Sequence, residues 1–167
     1  LEGLAETADL KTKPLRKSAA PLDFGYSHSL SVAAGSRALQ ELQRVLRSRE
    51  EQDSDVFFAL KTHGVGGKER ELGQGYVNLR QLLKDARNME GAQVSLAGPQ
   101  GSAGRLTVSV VGLQALQAAS SGAPTSAADA FLGRGVGTGA DTLRVAVGGL
   151  ALAPTVREDA SVGEVWV

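Results

Sequence analysis

The chain of 167 residues offers few side chains that could do chemistry. It has no cysteine, which removes thiolate nucleophiles, thiolate metal sites and disulfides together. Its two histidines, His28 and His63, lie in no G-x-S-x-G or metal-ligand spacing. Asp53 and Asp55 are two carboxylates in one polar turn, Gln52-Asp53-Ser54-Asp55, ahead of an apolar strand. The run Gly64-Val65-Gly66-Gly67-Lys68 looks at first like a phosphate loop. Thr62 stands where that loop needs its first glycine, and Glu69 where it needs Ser or Thr, so a glycine hairpin is expected instead. No residue pair has the spacing that acid–base or nucleophilic chemistry requires, so the chain reads as non-enzymatic. The densest charge cluster is Leu10–Ser18, LKTKPLRKS, with Lys11, Lys13, Arg16 and Lys17. It could meet an acidic partner or an anionic lipid. The plainer reading is edge protection, since Lys and Pro on an edge strand block sheet-to-sheet pairing.

The elements that must carry these residues are mostly strands. Glycine is frequent, 21 residues, and separates short apolar runs of period 2. Strands are expected at 10–15, 29–32, 56–60, 75–79, 93–96, 106–111, 143–147 and 164–167. In 56–60, Val56, Phe58 and Leu60 take one face and Phe57 and Ala59 the other, which suggests cover on both faces. Aromatic residues are only 4% of the chain, so Phe58 and Tyr76 are expected to carry much of the core. Helices are expected over Ser36–Arg47, with Ser36 as N-cap, and over Leu79–Arg87, where Asn78 and Gln81 form a capping-box pattern. Residues 118–140 are almost all Ala, Gly, Ser and Thr, and read as a linker. An internal echo flanks it: Leu106, Val108 and Val110 are repeated as Leu143, Val145 and Val147.

Lys plus Arg and Asp plus Glu are 18 each, a zero balance that argues against nucleic-acid binding. No apolar run approaches the roughly 20 residues a spanning helix needs, so no transmembrane segment is expected. The first ten residues lack the pattern of a secretory signal, which with the absence of cysteine suggests an intracellular compartment, and the opening Leu suggests a segment of a longer chain.

Residues 56–79, VFFALKTHGVGGKERELGQGYVNL, form an apolar strand, a polar loop and a return through L-G-x-G-Y-V-N-L. This resembles the later half of a C2 domain. Gly104-Arg105-Leu106-Thr107-Val108-Ser109-Val110 resembles its closing strand, and LKTKPLRKS followed by Leu22-Asp23-Phe24 an earlier strand pair. The particular form is similar to the C-terminal module of the RPGR-interacting protein family, large ciliary scaffolds with tandem C2 modules. Gly73, Gly75, Tyr76, Val77, Leu79, Arg87, Gly104 to Leu106, Val108 and Ser109 carry the match. The resemblance implies an all-β, C2-like eight-stranded antiparallel sandwich with two short helical insertions. It implies a module over 1–117 that lacks its first strands, the linker, and 141–167 as either the opening of a second module or the completion of the first. A calcium-binding C2 domain needs about six to eight oxygen ligands, mostly loop carboxylates. The loop 61–71 holds no Asp, and its Glu69 and Glu71 are balanced by Lys61, Lys68 and Arg70. The resemblance therefore implies no cofactor. It implies a calcium-independent scaffold module of the transition zone or axoneme, bound to other ciliary proteins. The competing reading is a calcium-independent, anionic-lipid-binding C2 domain that uses Lys11, Lys13, Arg16 and Lys17.

Overall fold

The computed structural model describes residues 10–33, 35–121 and 142–167. Eight strands follow one another as β1 (Leu15–Arg16), β2 (Leu22–Ser31), β3 (Asp55–His63), β4 (Glu69–Asn78), β5 (Met89–Gly98), β6 (Gly101–Val111), β7 (Thr142–Leu152) and β8 (Glu164–Trp166). Helices α1 (Arg37–Arg47), α2 (Leu79–Asp85), α3 (Leu113–Ser121) and α4 (Pro154–Glu158) lie between them. The strands form one nearly closed antiparallel sheet in the order β1-β8-β3-β4-β5-β6-β7-β2. The all-β class expected from the sequence is the class found.

Alternation explains which side of each strand faces the core. Val56, Phe58 and Leu60 of β3 are buried, as are Leu106, Val108 and Val110 of β6. The sequence echo is a pair of neighbours: Leu106 lies opposite Leu150, Val108 opposite Val147, and Val110 opposite Val145. Two adjacent strands that bury the same face in one core need the same spacing of apolar residues. Of the two readings of the last segment, strand pairing puts β7 between β6 and β2, and β8 between β3 and β1. Both are strands of this same sheet.

The glycines of L-G-Q-G-Y act at the fold between sheet halves. β4 and β5 are joined at a single pair, Gln74 with Ala97. There the two strands cross closely: a Cβ on Gly73 would lie 3.0 Å from the Ala97 carbonyl oxygen, and one on Gly75 2.6 Å from the Ser95 carbonyl oxygen. A Cβ on Gly98 would overlap the Leu72 carbonyl oxygen. Glycine is needed here for space and not for a positive φ.

That arrangement corrects the expectation for Tyr76. Gly75 and Gly73 lie opposite Phe58 and Leu60, so the next residue in the alternation points outward. Tyr76 is 59% exposed and Phe57, its register partner, 54%. The outer face of β3 is therefore not covered as expected, whereas Phe58 is 4% exposed and belongs to the core.

α1 and α2 form where the caps were expected. Ser36 Oγ accepts from the Leu39 amide at 3.1 Å, and Asn78 Oδ1 from the Gln81 amide at 3.0 Å. α2 stops at Asp85 because Ala86 adopts a left-handed conformation, φ 51°. α3 overturns part of the linker expectation, since Ala118–Ser121 are helical. Ala115, Leu116 and Ala119 are buried, and α3 packs on α1 and α2. Alanine has the highest helix propensity and permits close helix contact. Residues 122–140 of the expected linker lie outside the described residues. The expected strand at 10–15 shrinks to β1. Ahead of it, Thr12 bonds directly to Val167, its amide donating to the carbonyl at 2.8 Å and its Oγ1 accepting from the amide at 3.0 Å.

Candidate interaction surface

The basic stretch does not form a free patch. Lys11 Nζ donates to Glu69 Oε1 at 2.5 Å and sits 4.7 Å over the centre of the Trp166 ring. Lys61 reaches the other carboxylate oxygen of Glu69 at 3.3 Å. These hydrogen bonds, Lys11 first and Lys61 second, hold the Glu69 carboxyl below the usual carboxylate range. Lys17 Nζ donates to the Asp159 carbonyl oxygen at 2.7 Å, and its amide to the Gly163 carbonyl at 2.8 Å. Only Lys13 and Arg16 of the four project as exposed cations with no ion pair among the described residues. The stretch chiefly fastens the start of the sheet to its last strand.

The other sequence candidates are structural too. Gly64 to Lys68 closes the β3–β4 hairpin, with Gly66 at φ 77° and Gly67 at φ 75°, and the Gly64 amide donates to the Lys68 carbonyl at 2.7 Å. Asp55 Oδ1 accepts from Asn78 Nδ2 at 2.6 Å, and the same amide reaches Ser54 Oγ at 3.0 Å. Asp53 accepts from the Ser48 hydroxyl. The two carboxylates thus order the turn into β3. His63 packs on Trp166 at 4.5 Å between ring centres, while His28 lies half-buried on the inward face of β2. Among the described residues no three His, Cys, Asp or Glu side chains converge on a point. No helix among them is long and apolar enough to cross a membrane.

Two features were not anticipated. The first is the aromatic pair on the outer face, with the Phe57 and Tyr76 rings 6.0 Å apart and tilted by 51°. They are the large hydrophobic side chains left exposed among the described residues. The signal was present in the sequence, because Phe57 and Tyr76 each flank a buried position in an alternating strand.

The second is the seam of the sheet. β8 pairs with β3 at Lys61 and Thr62, so among the described strands residues 55–60 of β3 pair with β4 alone. Among the described strands β2 pairs with β7. These two edges line one cleft of about 700 Å³, with Phe58, Val145 and Val147 on its apolar wall and Lys11, Lys61 and Trp166 toward one end. Trp166 is 1% exposed, and its buried Nε1–H has no acceptor among the described residues. A buried donor without a partner is rare and costly.

The remaining edge, β1, is two residues long and bracketed by Lys13, Pro14 and Lys17. β2 is ten residues long and carries no Lys, Arg, Glu or Pro; its single acidic residue, Asp23, sits at the start beside a bulge. The β1 edge is blunted in the ways that prevent strand addition. No family model, curated protein or solved structure matches the chain.

Proposed function

We propose that this chain is a non-catalytic protein–protein interaction module that binds its partner on the outer face of β3 and β4. The observation that carries this reading is the Phe57–Tyr76 pair. Exposed aromatic side chains present a large, rigid apolar area with little entropy to lose, and they dominate the centres of protein interfaces. Of the basic stretch, Lys11 shares Glu69 with Lys61 and Lys17 bonds the Asp159 carbonyl, which leaves Lys13 and Arg16 as the exposed cations an anionic membrane could meet.

Two features support a calcium-independent C2-type architecture. The strand order divides into four and four at the single β4–β5 pair, and the loop expected to bind calcium holds no Asp. The resemblance to the RPGR-interacting family makes a ciliary scaffold the setting. The test is to place a photoreactive phenylalanine at position 57 of the full chain in ciliated cells. A protein crosslink, together with ciliary accumulation lost in Phe57→Ser/Tyr76→Ser at an unchanged melting temperature, supports the reading. Crosslinking to lipid alone, or flotation of the wild-type chain with phosphatidylserine vesicles, overturns it in favour of the lipid-binding alternative.

A further inference from the structure

We infer that the groove beside Tyr76, between β4 and β5, takes a proline-rich segment of the partner protein flanked by a basic residue. This rests on the reading of the chain as a protein interaction module, and it names the chemistry of the partner.

The groove opens where β4 and β5 part beyond their single pair, Gln74 with Ala97, and Gln81 and Leu82 of α2 line it too. Its volume is about 690 Å³. Val94 and Met89, partly buried against the core, give it an apolar floor. Tyr76 lines this groove and is also half of the exposed aromatic pair, so the groove and the Phe57–Tyr76 face are continuous.

Three observations choose the occupant. First, an exposed aromatic ring beside an apolar floor suits the rigid ring of proline, and aromatic-lined grooves are what polyproline II segments dock into. Second, the Gln74 and Gln93 side-chain amides and the Tyr76 hydroxyl line the groove on exposed residues and make no hydrogen bond among the described residues. All three can donate. A polyproline II segment has carbonyls with no internal partner and, at each proline, no N–H, so donors are what it needs. A helix bonds its own carbonyls, and a strand brings as many donors as acceptors. Third, the Asp85 carboxylate accepts from the Gln81 amide at 2.8 Å and lies 3.9 Å from Arg87, whereas the exposed Glu90 of the same groove has no ion pair among the described residues. That carboxylate is complementary to a Lys or Arg next to the prolines.

Polyproline II has about three residues per turn, so prolines three positions apart share one side. One ring would rest on the Phe57–Tyr76 pair and the next over Val94 and Met89, with the basic residue toward Glu90.

The test selects a phage library of dodecapeptides, with Pro-x-x-Pro fixed and the flanks random, against the immobilised full chain. Synthetic copies of the selected sequences are then titrated into isotope-labelled protein and followed by NMR. The expected result is enrichment of Lys or Arg on one flank and shifts of the Gln74 and Gln93 side-chain amide resonances on binding. Copies with both prolines changed to alanine should bind about tenfold more weakly or worse, and Tyr76→Ala should weaken binding by a similar factor. Tyr76→Phe, which keeps the ring, should lose about two- to tenfold. Glu90→Lys should lose about two- to fivefold at low salt, a difference that added salt removes. Each variant is compared well below its own melting transition.

Peptides that bind equally well without their prolines overturn the proline-rich occupant. Peptides that bind but leave the Gln74 and Gln93 resonances unmoved overturn the groove as their site. Tyr76-dependent binding on a glycan array, with no peptide bound, overturns the inference in favour of a carbohydrate. A selection that yields no peptide, alongside an intact position-57 crosslink in cells, also overturns it while sparing the module reading. Failure of both experiments removes the two together.

Discussion

The strand register makes a sharp contrast between adjacent aromatic residues. Phe58 is 4% exposed and lies opposite Gly75, which has no side chain to move into a vacated space. The site cannot be refilled from β4, because a Cβ at position 75 would already be 2.6 Å from Val94 Cγ1. A phenylalanine truncated in a core costs about 3–5 kcal/mol, and limited collapse places Phe58→Ala in the upper part of that range. For a domain of this size each kcal/mol lowers the melting temperature by about 2–4 °C, so a fall of roughly 8–20 °C is expected. Phe57 and Tyr76 are more than half exposed and form a cross-strand pair. Replacing either by alanine should cost about 0.5–1.5 kcal/mol, the scale of such a pair. Urea midpoints and calorimetry of the three alanine variants measure the contrast. If Phe58→Ala costs less than Tyr76→Ala, the register of β3 on β4 is wrong, and so is the assignment of Phe57 and Tyr76 to an interaction face.

Further outcomes follow from particular contacts. Arg80 donates from Nε to the Leu46 carbonyl at 3.0 Å and from one guanidinium nitrogen to those of Val45, at 3.1 Å, and Ser48. It closes the C-terminus of α1, so Arg80→Ala should cost about 1.5–3 kcal/mol in urea unfolding, and Arg80→Lys should recover only part of it. Gly98→Ala should cost about 1–3 kcal/mol or more, since the new methyl meets the Leu72 carbonyl oxygen; a neutral result would show that the β4–β5 crossing is looser than described. The Asp159 carboxyl is lowered to about 2, first by the Ser161 hydroxyl, then by the Ser161 amide, then by Arg70. A depressed carboxyl adds stability that is fully present above its ordinary value of 3.8 and is lost as pH falls through about 2. Asp159→Asn should therefore flatten the dependence of the urea midpoint on pH across that window. Millimolar calcium should leave the melting temperature unchanged; saturation at 100 times a Kd would stabilise by about 2.7 kcal/mol, a rise of several degrees.

Local chemistry made much of the fold legible in the residues. Period-2 runs marked the strands, because a strand with one buried face must alternate, and Ser36 and Asn78 marked two helix starts because each offers an oxygen to orphan amides. Zero net charge and the absence of cysteine are likewise properties of the chain alone. Other features depend on which segments meet. Whether Tyr76 faces in or out was decided by Gly75 lying opposite Phe58, a matter of register between strands that alternation within one strand does not fix. The glycines of L-G-Q-G-Y looked like family signature and loop punctuation, but their reason is the close passage of β4 over β5, visible only when both are in place. The small-residue stretch after Leu113 gained a helix because α1 and α2 gave its alanines a surface to pack on. Lys11 looked free in the sequence, and its partners Glu69 and Trp166 come from the middle and the far end of the chain. The seam was least legible of all. Which strands border one another is set by the order of the sheet, not by the residues of either strand.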